Sequence, residues 1–248
     1  MKTSSIILAA GKGTRMLSET PKVLHEYEGR PFVCSICDKA ISCSDETVVV
    51  VGYRGEDVIK VLPEGVKVAW QKEQLGTGDA VRTALVEVSP DTDTVLVMPA
   101  DHPHITAETL AELFTKHHSH DFPVTFATVS FSDYGEWRSA FVRHGRVIRN
   151  EHGVVEKIIE YKDADEEERA ITEVNVGVYA FDTSWLRQHI GELNNNNNAQ
   201  EIYITDLVAV AVATAGGAFA SPLGDIRQGL GVNSLEDLSV LQGLHLET

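Results

Sequence analysis

A chain of 248 residues, 43% of them hydrophobic, can bury one sizeable α/β core, whereas a second full domain would be cramped, so one domain over 1–248 is expected. A formal net charge of −16 argues against nucleic acid or a membrane surface as partner, since both are polyanions that repel it at long range. No apolar run approaches the ~18 residues of a membrane span, and MKTSS enters a strand too soon for a signal peptide, which points to the cytoplasm.

Strand-like runs at 4–10, 47–51, 66–70 and 94–98 alternate with helix-like stretches at 31–42, 55–62, 78–87 and 106–118. That spacing predicts parallel βαβ units in a three-layer α/β/α sandwich, Rossmann-like, with a mostly parallel central sheet. Ligands of such sheets collect at strand carboxyl ends, where Gly11, Gly52, Gln71 and Asp101 fall. In helix 31–42, Cys34 and Cys37 form a C-x-x-C, but the apolar period turns both inward as packing residues, and the third cysteine, Cys43, leaves the count odd. From Asp121 the pattern becomes β-rich, with runs at 124–131, 141–148, 154–160 and 172–181, so 121–248 reads as a second half beside 1–120. A helix around Trp185 and Leu186 then meets Asn194 to Asn198, read as a solvated loop, and Ser234 with Asp237 three residues on is a capping-box pattern for a helix over 234–244. His102 and His104 lie in a Pro-containing loop without the spacing of a zinc site, and His117, His118 and His120 read as a solvated helix end.

The most informative segment is 6–16, IILAAGKGTRM, where an apolar run ends in a Gly-Lys-Gly-Thr-Arg turn. The small Ala9, Ala10, Gly11 and Gly13 let backbone N–H groups approach a polyanion at the start of a helix, and Arg15 and Lys22 suit phosphoryl oxygens. Residues 1–25 carry Lys2, Lys12, Arg15 and Lys22 against Glu19 alone, a basic spot in an acidic chain. The turn is not a P-loop, because the Gly-Lys pair that G-x-x-x-x-G-K-[ST] requires never arrives, and it lacks the third glycine of G-x-G-x-x-G, where Met16 stands. The bland alternative is a strand-to-helix turn without a ligand.

LAAGKGTRM followed by PKVLH resembles the opening of the sugar-1-phosphate nucleotidyltransferases, most closely the uridylyltransferase domain of bacterial N-acetylglucosamine-1-phosphate uridylyltransferase. QKEQLGTGDA (71–80), VLVMPAD (95–101), HGRVIRNEHGVVEKIIEYKDA (144–164), EVNVG (173–177), NAQEIYITD (198–206) and GVN (231–233) resemble its later motifs in order. The resemblance implies transfer of a uridylyl group from a nucleoside triphosphate, UTP, to a sugar 1-phosphate, with Arg15 and Lys22 as catalytic cations and Mg²⁺ on Asp101 and Asn233. It further implies a nucleotide site at Leu8, Ala9, Ala10, Gly11, Gly13, Gln71, Gly76 and Thr77, and a sugar site at Gly145, Glu160, Asn175, Tyr203 and Thr205. For Asp101 the residues add a reason of their own, since a carboxylate directly after a buried strand makes little sense without a cation. Helix capping is the alternative role for Asp101, and Asn233 precedes a helix cap.

Departures from the family pattern fall on the sugar side. Pro99-Ala100 stands where relatives have Tyr-Gly before the aspartate, 132–144 (SDYGEWRSAFVRH) is longer than their approach to Gly145, and one residue is missing between Gln200 and Tyr203. Tyr134, Trp137 and Phe141 either line a different sugar pocket or fill core. Glucose 1-phosphate or another sugar phosphate, dTTP in place of UTP, and a catalytically silent sugar-nucleotide sensor stay open. The hexapeptide repeats of the family's trimer-forming half do not occur in the sequence, which leaves the oligomeric state open.

Overall fold

Buried strands alternate their side chains between two helical layers, and this parity organises the molecule, whose computed structural model describes residues 1–244. The first half runs β1 (Thr3–Leu8), a short hairpin of β2 (Glu26–Tyr27) and β3 (Arg30–Pro31), α1 (Phe32–Cys43), β4 (Glu46–Val51), α2 (Gly55–Ile59), β5 (Lys67–Trp70), α3 (Thr77–Ala84), β6 (Thr94–Pro99) and α4 (Ala107–His117). There follow β7 (Val124–Ser130), β8 (Arg146–Arg149), β9 (Val155–Ile159), α5 (Glu166–Ala170), β10 (Glu173–Asp182), α6 (Thr183–His189), α7 (Asp206–Ala215), β11 (Phe219–Pro222) and α8 (Leu235–Gly243). The main sheet has the order β11-β7-β10-β6-β1-β4-β5, with β8 and β9 branching from β10. Its β6-β1-β4-β5 part is parallel, while β10 runs antiparallel to both β6 and β7. The expected three-layer α/β architecture is therefore what the chain forms.

Ile7, Val49, Val51, Leu96 and Met98 face α1 and α4, and their odd-even partners Ile6, Val48, Val50, Val95 and Val97 face α3, α6 and α7. Such strands need apolar residues at every position, which is why β1, β4 and β6 read as continuous runs. Cys34 and Cys37 are buried in the first of these layers as free thiols. Among the described residues no helix is long and apolar enough to cross a membrane.

Two of these expectations need correction. Residues 141–148 are not one strand: Glu136–Phe141 forms a 3₁₀ turn and pairing begins only at Arg146. The cause is the fully buried Arg146 guanidinium, which donates to the carbonyls of Val142 (2.8 Å), Arg169 (3.1 Å) and His144, drawing inward groups that a ladder would need. Phe141 beside it is core, with Tyr134 and Trp137 packed on it from the edge, so the aromatics of this segment fill space rather than line a pocket. The Asn tract is the exposed loop expected, and it is anchored where Asn198 donates to Asp163 Oδ1 (2.8 Å) and to the Lys162 carbonyl (3.0 Å) and where Asn197 Oδ1 accepts from the Glu201 N–H (3.1 Å).

The second correction concerns His117, the last residue of α4. His117 is buried, with Nδ1 2.9 Å from the Thr125 hydroxyl, which His120 Nε2 also meets at 3.0 Å, while His118 Nε2 meets Thr94 at 2.9 Å. Burial pushes His117 down to about 4, with His120 and His118 adding to it. An unfolded chain takes up this proton near 6.5 and the folded one only near 4, so stability present above 6.5 is lost as pH falls through that window. The His117 contribution should approach about 3 kcal/mol near pH 4, and His117→Gln should flatten the pH dependence of the urea midpoint between pH 7 and that limit.

Candidate active site

The turn after β1 is held open by its neighbours. Ala9 N–H donates to the Val50 carbonyl (2.9 Å) and the Ala10 carbonyl accepts from Tyr53 N–H (3.1 Å), which pins the start of the loop to β4. Beyond that point the N–H groups of Gly11, Lys12 and Gly13 have no backbone acceptor among the described residues and stand free for an external anion. The expected helix does not follow. Only a 3₁₀ turn, Thr14–Met16, succeeds the loop, so an anion placed there would meet backbone amides and side-chain cations without a helix dipole. Gly13 sits at φ +59°, where a Cβ would come within 2.5 Å of Lys22 Cβ, and that close approach brings Lys22 to the turn.

Four residues far apart in sequence converge here. Lys22 Nζ donates to Asp101 Oδ2 and to Asn233 Oδ1 (2.9 Å), and Arg15 Nη2 donates to the same Asn233 oxygen (3.0 Å). Asp101 is only 5% exposed. Burial alone would raise its carboxyl, but the Lys22 ammonium and the hydrogen bond from His102 outweigh it and hold the group well below the usual carboxylate range. Asn233 is fixed from behind, since its N–H donates to Asp237 Oδ2 (2.8 Å). The capping pattern is thus half formed as expected: Ser234 Oγ accepts from Asp237 N–H (3.1 Å), while the Asp237 carboxylate reaches back one residue further, to Asn233. Asp101 Oδ2 and Asn233 Oδ1 both meet the Lys22 ammonium, and as hard oxygens they are the kind of donor a small divalent cation such as Mg²⁺ accepts.

Two cavities meet at Thr77, Pro99 and Asp101. The one of about 480 Å³ is lined by Leu8, Ala9, Ala10, Gly11, Gly13, Lys22, Gln71, Gly76 and Thr77, so every expected nucleotide residue lies on it. Gln71 Nε2 donates to the Gly76 carbonyl (3.0 Å) and to Asp79 Oδ2 (2.9 Å), which uses both amide hydrogens and leaves Oε1 as the atom it can offer. Gly76 takes φ +119° with Ile202 so close that a Cβ would lie 2.4 Å from its carbonyl oxygen. The other cavity, about 810 Å³, is lined by Arg15, Gly145, Glu160, Asn175 and Asn233. Tyr203 and Thr205 line neither: Thr205 Oγ1 stands behind Glu160 and donates to its Oε1 (3.1 Å), and Tyr203 is nearly buried beside Asp163. Burial raises the Glu160 carboxyl to about 7 against the opposing Thr205 bond, with Asp206 adding to the rise.

The family model for the MobA-like NTP transferase domain matches residues 5–172, which contain this turn, Lys22, Gln71 and Asp101. The chain belongs to that family. A Heliobacterium modesticaldum protein named bifunctional protein GlmU is 38% identical over 96% of this chain and 51% of its own length, and one of the same name from Alkaliphilus oremlandii is 41% identical over 98% and 52%. The chain therefore spans about half the length of these curated relatives. A solved CMP:2-keto-3-deoxy-manno-octonic acid synthetase in complex with CTP shares the fold, with a TM-score of 0.66 at 17% identity over 98% of both chains. The resemblance carried by the sequence motifs holds, and the chain carries an NTP transferase domain.

Several lining residues of the domain escaped sequence reasoning. Gln74 and Glu201 line the smaller cavity, and Ser139, Arg143 and His144 line the larger one. Gln74 lies inside a motif already singled out, but the 132–144 stretch offers no periodicity from which to tell its cavity side from its core side. The two glycines of the turn should behave differently. Gly13→Ala, forced into left-handed backbone against Lys22, should cost about 2 kcal/mol of unfolding free energy in denaturant titrations. Gly11→Ala, with open space around it, should stay within about 0.5 kcal/mol of wild type.

Proposed function

We propose that this domain transfers a uridylyl group from UTP to a sugar 1-phosphate, with N-acetylglucosamine 1-phosphate as the leading acceptor, and releases pyrophosphate. The observation that carries the reading is the junction of the two cavities at Asp101, with Lys22 and Asn233 beside it and Arg15 on Asn233. A sugar phosphate oxygen attacks the α-phosphorus, a new P–O bond forms, and the bond to pyrophosphate breaks with its electron pair leaving on oxygen. The nucleophile is already ionised at neutral pH, so the site needs no general base and works by positioning and charge neutralisation.

Arg15 and Lys22 offset the repulsion between the two anions, and the free N–H groups of Gly11, Lys12 and Gly13 receive phosphate oxygens. Asp101 and Asn233 would hold Mg²⁺, whose chemistry is to neutralise charge on the phosphates it joins. Glu160 accepts from sugar hydroxyls and is kept in place by Thr205, while Asn175 faces the same cavity. At the base, the Gln71 carbonyl suits the N3–H that uracil and thymine present and opposes the lone pair that cytosine presents there. Pro99 at the junction provides no phenol to the sugar, which favours glucose 1-phosphate or another sugar phosphate as the second reading.

Purified protein with Mg²⁺, UTP and a panel of sugar 1-phosphates should release pyrophosphate, and failure with every donor and acceptor pair would overturn the enzyme reading. Lys22→Ala should lower kcat/KM by about 10³ without a matching loss of fold. CTP should turn over with kcat/KM roughly 10²-fold below UTP, with dTTP close to UTP, as read in the same assay.

A further inference from the structure

His102, which follows the metal-facing aspartate, has a place in the site that its loop position does not announce. The Asp101 carboxylate divides its oxygens: Oδ2 takes Lys22 Nζ, and Oδ1 lies 2.9 Å from His102 Nδ1. An ionised carboxylate only accepts, so Nδ1 carries the hydrogen and donates it. The other ring nitrogen, Nε2, is buried without a partner. The buried imidazole therefore makes one strong polar contact, the one to Asp101. It rests on Gly231, where a Cβ would lie 2.7 Å from ring Cε1 and 3.1 Å from Nε2, so the ring occupies space that only glycine leaves. From the same strap Val232 N–H donates to the Asp101 carbonyl (2.9 Å), and Asn233 follows. The ring is thus wedged between the two segments that carry the two metal-facing oxygens.

We infer that His102 is a positioning residue for the divalent cation, fixing the Asp101 carboxylate through its Oδ1 and setting, through Gly231, its spacing from Asn233. The inference rests on the Mg²⁺ site proposed above. His102 is no ligand itself, because Nδ1 is occupied by Asp101 and Nε2 lies against Gly231. Without the imidazole the carboxylate could turn about its own axis, and that freedom would be lost again on every binding event. Partners that orient a metal ligand in this way are worth about 10–100-fold in metal affinity.

The test is Mn²⁺ titrated into the full chain without nucleotide, followed by loss of the free-ion EPR signal. His102→Leu, which fills the space but cannot donate, should weaken Mn²⁺ binding by about 10–100-fold, and His102→Asn, whose amide N–H can replace Nδ1–H, should recover it to within a few-fold. A role in packing alone would spare Mn²⁺ affinity in His102→Leu or fail to separate the two variants, and either result overturns the inference. If the wild type takes up no Mn²⁺, or Asp101→Ala binds it equally well, the metal site itself has failed and the positioning role with it. Should His102→Leu not fold, ¹⁵N NMR of the wild type decides: a protonated Nδ1 retained on addition of Mg²⁺ supports the inference, and an Nε2–H tautomer overturns it.

Discussion

A buried carboxylate at the end of a central strand must be compensated, and in this protein Lys22 supplies the compensation. Asp101 is carried by β6 to the floor of the cleft, where burial alone would drive it neutral, and the ammonium beside it keeps it charged. The same ammonium reaches Asn233, and the Asn233 oxygen in turn receives Arg15. One cation therefore ties the first loop, the fourth core strand and the strap before α8 into a single electrostatic unit. A polyphosphate and a divalent ion would enter this unit by exchanging partners that already exist, which is a smaller change than creating charges in an apolar floor.

The fold serves this unit by placing strand ends side by side. Parallel β1, β4, β5 and β6 end on one edge, so Ala10, Gly52, Gln71 and Asp101 come together without any contact between neighbours in sequence. Gly52 packs so near Ala10 that a Cβ would lie 2.9 Å from it, which is how a position noted only for its place at a strand end becomes a spacer for the glycine-rich turn. The antiparallel β10 then returns across β6 and brings Asn175 to the far side of the same cleft. Its ladder shifts register between Asn175 and Tyr179, around Gly177 at φ +83°, and this break lets one strand serve both the core and the cavity wall.

Most of the first half was readable in advance because its signals are local. Continuous apolar runs in β1, β4 and β6, the 3.6-residue period of α1 and α4, and glycine where backbone must pass close are properties of a few adjacent residues. The 132–144 stretch was not readable in this way. Its conformation follows from Arg146, whose guanidinium is surrounded by carbonyls from two segments and by the Tyr134 and Tyr161 rings, and nothing near Arg146 in sequence marks it as buried. His117 was misjudged for the same reason, since a histidine at a helix end takes its character from whatever packs over it.

The sequence by itself determined the α/β class, the glycine-rich turn after β1 and the set of residues that end the core strands, because hydrophobic period and glycine placement act over short range. Only the tertiary structure decided that Lys22 bridges Asp101 and Asn233, that Thr205 stands behind Glu160 rather than on the sugar, and that His102 holds the aspartate. Those contacts join residues 79 and 211 positions apart in the Lys22 pairs, or depend on a ring finding space over Gly231. Chain closure on that scale is settled by packing of the whole core, which no local pattern encodes.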